Sequence, residues 1–401
     1  MEKHKEILER SIVNYLAYAE KDLNDAIRVM FNTVMDLERD AFLGYSKRCR
    51  KDKSTDNKRN GYVESVINGL NDSFTINIPR DRLNNFKPFL LEMIKQEREK
   101  MDDLCFRLYT KGLTTRDIED VFQKLYKGRY SKSNISRISS SFTKEREAWQ
   151  ARSLDKEYLI IYIDALRESV RRFTTSKEAV YVVMGLKPDL TRDILGIWTF
   201  PEETKAGWEM VLKDLKSRGM EKVLCFVSDG FNGLKEVIND VYPKADTQRC
   251  IVHKIRNILA LVRHQDKQKI ASDFKKVYVL EDKDFSTEKG VKLLSEFLEK
   301  WGSKYKKLKG LFRENEIEPL FTYSKYPIKI QRMIYTTNWI EAINKQIRRT
   351  TKIRGSFPDE DSMLNLISAY LIDKCENNYN KYPITSLIPV KEELAEMLKK
   401  R

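Results

Sequence analysis

Three acidic residues occupy positions where an ionised carboxylate is conspicuous. Asp164 follows the apolar run "YLIIYI" (158–163), Asp229 closes "KVLCFVSD" (222–229), and Glu341 lies in the first turn of "NWIEAINKQIRR" (338–349). A carboxylate leaving a core needs pairing, solvation or a cation. If the strands that end in Asp164 and Asp229 lie side by side, their carboxylates raise each other's pKa unless a cation sits between them. Mg²⁺ suits that place, since it takes oxygen ligands, retains waters and completes its shell with phosphate oxygens. With Glu341 fixing a second ion about 3.5–4 Å from the first, the set could run an in-line phosphoryl displacement by water or a 3′-hydroxyl. Each residue also has a plainer explanation. Asp164 suits an exposed strand end, Asp229 suits a Ser-Asp-Gly turn, and Glu341 stands three residues after Asn338, the capping-box position. Only their order on successive elements favours the metal reading.

Around these carboxylates stand other candidates. "QRCIVHKIRN" places Cys250 and His253 at C-x-x-H spacing. Structural zinc takes about four ligands; the remaining histidines are His4 and His264 and no second cysteine pair is near, so structural zinc is not expected. His253 suits phosphate positioning or proton transfer, and Cys250 reads as a buried small apolar residue. After Glu341, Lys345, Arg348, Arg349 and Lys352 form a basic strip suited to a phosphate backbone; a solvated helix with cations at its C-terminal end explains them as well.

The elements that must position these groups follow from periodicity. After "DKEY" the apolar period becomes two, in "YLIIYID", "AVYVVMGL" and "DILGIWTF". A helix across Trp208–Leu215, the strand "KVLCFVSD", a helix at "FNGLKEVINDVY", a short strand "ADTQRC" and a further helix come next. Three meandering strands, then helix, strand, helix, strand and helix is the order of a ribonuclease-H-like core. From 254 to 335 charged helices replace the strands, then a strong helix starts at Thr337 or Asn338, with one or two helices and a polar tail after 360.

Upstream, helical spacing of Ile7, Ile12, Leu16, Leu23, Ile27, Met30, Val34 and Leu37 predicts one or two helices over 5–43. "KRCRKDKSTDNKRNGY" (47–62) reads as a basic loop or arm, and Phe74, Ile76 and Ile78 mark a small hairpin over 63–80. A helix follows over 89–109. A further pair, capped at Thr114 or Thr115 and at Ser131 or Ser133 around Gly128, has helix-turn-helix proportions. Its second helix presents Lys132, Ser133, Asn134, Ser136 and Arg137 to phosphates or base edges.

Composition agrees with a polyanionic partner. Among 401 residues, Lys plus Arg outnumber Asp plus Glu by 75 to 60, a net charge of +15. With 41% hydrophobic residues the chain can fill roughly two or three cores of about 150 residues each. The amphipathic start is unlike a signal peptide, and no run approaches the ~20 apolar residues of a membrane span. Five scattered cysteines without a CxxC pair fit free thiols in a reducing compartment.

"RNGY", "IPRDR", "KGLTTRDIEDVF", "IDALRESVR", "VSDGFNGL", "QRCIVHKIRN" and "TTNWIEAINKQIRRTTKIRGSFP", in this order, resemble the bacterial insertion-sequence transposases of the Mutator superfamily over residues 57–375. The resemblance implies an Asp-Asp-Glu transposase with a ribonuclease-H-like core, a helical insertion before the Glu and a Cys-x-x-His motif. Asp164, Asp229 and Glu341 become the catalytic, metal-binding residues, Cys250 and His253 the accompanying motif, and Arg348 the basic residue seven positions after the glutamate. Trp339 departs from the small residue found there in much of the family.

The expected protein is α/β, with a ribonuclease-H-like catalytic core, an all-α insertion and mainly α DNA-binding domains at its N-terminus. Its expected parts are an N-terminal helical region (1–46), basic arm and hairpin (47–88), helix-turn-helix domain (89–152), core (153–253 and 336–376), insertion (254–335) and C-terminal tail (377–401). It would bind its element's terminal inverted repeats, use two Mg²⁺ ions, for which Mn²⁺ can substitute, and cut and rejoin double-stranded DNA as a homodimer. A cytoplasmic, nucleoid-associated location without membrane attachment is expected. The alternatives are a non-catalytic helix-turn-helix regulator and a ribonuclease-H-like nuclease or resolvase.

Overall fold

The computed structural model describes residues 23–47, 56–68, 73–110, 113–126, 132–171, 175–280, 282–354, 357 and 359–401. The chain divides into two units, Met1–Tyr109 with Leu113–Ser140, and Thr110–Gly112 with Ser141–Arg401.

In the first unit, helix α1 (Leu23–Leu43) packs on a hairpin of β1 (Arg59–Asn68) and β2 (Ser73–Asp81). Met35, Leu43 and Ile76 fill the space between them. The basic stretch read as a loop over 47–62 is a strand from Arg59 onward. Antiparallel pairing recruits it, and Asp40 neutralises Arg59 at 2.6 Å. Helix α2 (Phe89–Thr110) and helix α3 (Thr115–Tyr126) follow. Thr114 caps α3, its hydroxyl accepting from Asp117 N at 3.1 Å while Asp117 accepts from Thr114 N at 2.8 Å. Helix α4 (Lys132–Ala151) comes next, with residues 141 onward in the second unit. The turn around Gly128 lies outside the described residues.

The second unit is mixed α/β. Five strands, β3 (Glu157–Arg171), β4 (Thr175–Leu186), β5 (Arg192–Phe200), β6 (Lys222–Ser228) and β7 (Asp246–Arg249), form one sheet in the order β5-β4-β3-β6-β7. β3, β4 and β5 are mutually antiparallel neighbours, whereas β3–β6 and β6–β7 are parallel. Between them lie α5 (Lys205–Ser217) and α6 (Leu234–Val241). Leu159 to Ile163 are each at most 1% exposed, as a strand covered on both faces requires.

One expectation changes. The alternation suggested that the first strand stops at Asp164, but β3 continues to Arg171, paired with β4 throughout. Only its parallel partner stops: the β3–β6 ladder ends at Ile163 and Ser228. Asp164 therefore sits on a strand still paired with β4, one residue past the end of its ladder with β6.

Beyond β7 the described chain is helical: α7 (Ile251–Ala260), α8 (His264–Lys275), α9 (Thr287–Gly302), the short α10 (Glu314–Ile317), α11 (Ile328–Ile334), α12 (Asn338–Arg354), α13 (Glu360–Lys374) and α14 (Lys391–Lys399). The segment read as a polar tail is also structured. Leu387, Leu394 and Leu398 are buried, and α14 packs against β3 and β6. Its i, i+4 leucines supply an apolar stripe that charged neighbours disguise in the sequence. No helix among the described residues is long and apolar enough to cross a membrane.

Candidate active site

Register brings two of the three carboxylates together. Ile163 pairs with Ser228 on parallel strands, so Asp164 and Asp229 are the next residues along adjacent chains. Burial and the charge of Asp229 push Asp164 up to about 7, against hydrogen bonds from Ala165 and Asn344 and the opposing charge of His253. A half-buried acid beside a second acid is a place that gains from a cation. Gly230 holds φ +100° immediately after Asp229, a left-handed conformation that lets the chain turn away from the strand end.

The third carboxylate comes on α12, which packs on β3. Ile340, Ile343, Asn344, Ile347 and Thr351 form its buried stripe, while Lys345, Arg348, Arg349 and Lys352 are exposed. Asn344, one turn beyond Glu341, donates to Asp164 Oδ2 at 2.7 Å. Trp339 turns inward, its ring 5.5 Å from that of Tyr162, with the Arg192 guanidinium 5.6 Å from its centre.

Glu341 meets the Cys-x-x-His pair. Its Oε1 accepts from the Thr337 hydroxyl at 3.0 Å and lies 3.5 Å from His253 Nδ1; its Oε2 accepts from Arg256 Nη1 at 3.0 Å. Cys250 caps α7, and its sulfur accepts from the backbone N–H groups of His253 (3.5 Å) and Thr337 (3.4 Å). Burial pushes the Cys250 thiol up, and the hydrogen bonds from His253 and Thr337 outweigh it, so the thiol lies below its ordinary range. The hydrogen bond with Cys250 raises His253, opposed by burial and aided by the charges of Cys250, Glu341 and Asp229. Cys250 is buried, as its sequence context suggested, but its sulfur is hydrogen-bonded and not merely apolar packing.

The family model described as "Transposase, Mutator family" matches residues 2–381. The chain belongs to the Mutator family of transposases. It is 32% identical over 356 residues to the transposase for insertion sequence element IS905 of Lactococcus lactis, covering 88% of this chain and 89% of that one. It is 35% identical over 344 residues to the IS1201 transposase of Lactobacillus helveticus, covering 86% and 90%. The IS256 transposase of transposon Tn4001 from Staphylococcus aureus matches at 25% identity over 92% and 95%.

In this transposase, sequence reasoning missed Asn344, Thr337 and Arg256. Asn344 follows Glu341 by three and Arg256 follows His253 by three, so helical spacing already put each on its partner's face. Glu203 was also missed. Burial raises its pKa against a Trp208 Nε1 hydrogen bond of 3.0 Å, and the charge of Asp229 adds to the rise. The side chains of Lys132, Ser133, Asn134, Ser136 and Arg137 lie outside the described residues, although their helix is present.

Proposed function

We propose that this protein is an Asp-Asp-Glu transposase that binds the terminal inverted repeats of its element, cuts the DNA and joins the freed 3′-hydroxyl to a new phosphodiester. The sheet order β5-β4-β3-β6-β7, with three antiparallel strands followed by two parallel ones, supports a ribonuclease-H-like core. The carrying observation is the convergence of Asp164 and Asp229 at one register level, with Asn344 tying Asp164 to the helix that bears Glu341. In this reading the helix-turn-helix residues 89–152 contact DNA, and the insertion spans 254–335.

The donor set fits divalent cations. Asp164 is held to about 7 by burial and by Asp229, so in neutral solution the carboxylate pair favours positive charge. Asp164, Asp229 and Glu341 would hold two Mg²⁺ ions, or Mn²⁺ in their place. Bound there, the ions would lower the pKa of an attacking water or 3′-hydroxyl and stabilise the leaving oxygen.

The chain's own residues do the rest. β3 keeps Asp164 in place through its unbroken pairing with β4, and the Asn344 amide orients its Oδ2. Thr337 and Arg256 fix the two oxygens of Glu341. The exposed Lys345, Arg348, Arg349 and Lys352 meet the DNA backbone beside the carboxylates. Two element ends must be held together for joining, which favours a homodimer. A cytoplasmic, nucleoid-associated location follows from such a substrate.

The test supplies pre-cleaved 3′-hydroxyl terminal DNA and a target plasmid with Mg²⁺. Joined products should form with the wild type and disappear in Asp164→Asn, Asp229→Asn and Glu341→Gln. Full strand transfer by Asp164→Asn overturns the proposal, and cutting without joining by the wild type reassigns the protein as a nuclease.

A further inference from the structure

Cys250, His253 and Glu341 offer a sulfur, a nitrogen and an oxygen that all lie within 4.8 Å of one another. The three arrive from two elements: Cys250 and His253 from the start of α7, Glu341 from the start of α12. We propose that they form a separate, thiophilic cation site that takes an ion of the Zn²⁺ class, and that filling it withdraws Glu341 from Asp164 and Asp229. The second half rests on the catalytic reading above; the first half does not.

Donor chemistry separates this site from the carboxylate pair. Three protein ligands of mixed S, N and O type with an open fourth position match zinc, cobalt or cadmium, whereas Mg²⁺ prefers oxygen ligands throughout. Cys-x-x-His spacing alone does not signal the site, because the third ligand, Glu341, comes from α12.

One hydroxyl serves all three ligands at once. Thr337 Oγ1 touches all three ligands, at 3.3 Å from Cys250 Sγ, 3.3 Å from His253 Nδ1 and 3.0 Å from Glu341 Oε1. A hydroxyl carries one hydrogen and can donate to one of them at a time. Arg256 Nη1 already brings positive charge to the same group, 3.0 Å from Glu341 Oε2 and 3.5 Å from His253 Nε2. Its side chain is 54% exposed and can swing into solvent when a cation arrives. His253 and Glu341 are 26% and 25% exposed, which gives a path to the buried sulfur. On binding, a metal–sulfur bond forms and the thiol proton passes to bulk water, so no further reactant is needed.

Cobalt makes the site visible without an activity assay. The reduced full-length protein, free of DNA and held in excess Mg²⁺, is titrated with Co²⁺. A thiolate-to-cobalt charge-transfer band should appear, saturate at one ion per chain and vanish on adding Zn²⁺. Cys250→Ser should lose the band, and His253→Ala and Glu341→Gln should each weaken Co²⁺ binding at least about 10-fold. The last two alter partly exposed side chains and keep the test decisive if Cys250→Ser does not fold. No thiolate band in the wild type, the same band in Cys250→Ser, or unchanged binding in both other variants overturns the site.

Asp164→Asn distinguishes the two readings. It should bind Co²⁺ as the wild type does while losing strand transfer; if it keeps strand transfer, the catalytic reading falls and the cobalt site stands. Zn²⁺ should also suppress Mg²⁺-dependent strand transfer by the wild type at the occupancy that the cobalt titration reports. Undiminished transfer at full occupancy overturns the withdrawal of Glu341.

Discussion

The side-chain amide of Asn344 donates to Asp164 Oδ2 at 2.7 Å, joining α12 to β3 one turn beyond Glu341. Asn344 is 4% exposed, so water cannot replace the bond. A hydrogen bond to a charged group contributes about 1.5–3 kcal/mol. Asn344→Ala should lower the rate of strand transfer by roughly 10- to 100-fold with little change in DNA affinity, and Asn344→Asp should lower it further by adding negative charge. The acidic side chain of Asn344→Asp would be the fourth in a site that already holds Asp164, Asp229 and Glu341, and single-turnover kinetics beside a DNA-binding titration checks both variants. A fall in thermal stability with an unchanged rate would leave Asn344 as packing only.

Asp164 makes stability depend on pH in a particular direction. Its folded pKa of about 7 lies above the ordinary 3.8, so the folded chain retains a proton that the unfolded chain releases. That contribution is full below the unfolded value and is lost as pH rises through about 7. In chelator, Asp164→Asn should therefore be more stable than the wild type above pH 7, by on the order of a few kcal/mol, and the two should converge near pH 4. Adding Mg²⁺ should narrow the difference at neutral pH. Melting curves across pH, with and without chelator, decide it.

Gly230 is bound to its neighbours by space. A Cβ there would lie 2.7 Å from Arg249 Cζ, and Arg249, 8% exposed, donates to Gly230 O and pairs with Glu316. Gly230→Ala combines that clash with a positive φ and should lose roughly 1–3 kcal/mol in urea denaturation. Because Asp229 is the preceding residue, strand transfer should fall more than stability at a temperature where the variant is still folded. Comparable activity of wild type and variant would show that the turn is free to move.

The C-terminal helix supports the sheet that carries the carboxylates. Leu394 is 0% exposed on α14, which packs on β3 and β6, and Arg401 pairs with Asp246 on β7. Leu394→Ala should destabilise the second unit by about 2–5 kcal/mol, read from denaturant midpoints. A change below the error of the measurement would mean that α14 is peripheral to the fold.

Local chemistry accounts for what was legible beforehand. Period-two apolar runs placed the three antiparallel strands of the second unit, and Thr114, one of two expected caps, marks the start of α3. Lys345, Arg348, Arg349 and Lys352, read as a basic strip, are all exposed on α12. These features are set by steric preferences and burial within a few residues, and each can be read from neighbours in the chain.

What tertiary structure alone decided is held by groups far apart in sequence. Asn344 reaches Asp164 across 180 residues, and Thr337 reaches Cys250 across 87. The continuation of β3 past Asp164 depends on pairing with β4, while the end of its other ladder depends on where β6 stops. Residue types and their order thus made Asp164, Asp229, Glu341, Cys250 and His253 candidates. Their division into a carboxylate pair and a Cys-His-Glu cluster arises only when sheet register and the α12–β3 packing bring the distant segments together, because side-chain convergence depends on long-range contacts that no local pattern encodes.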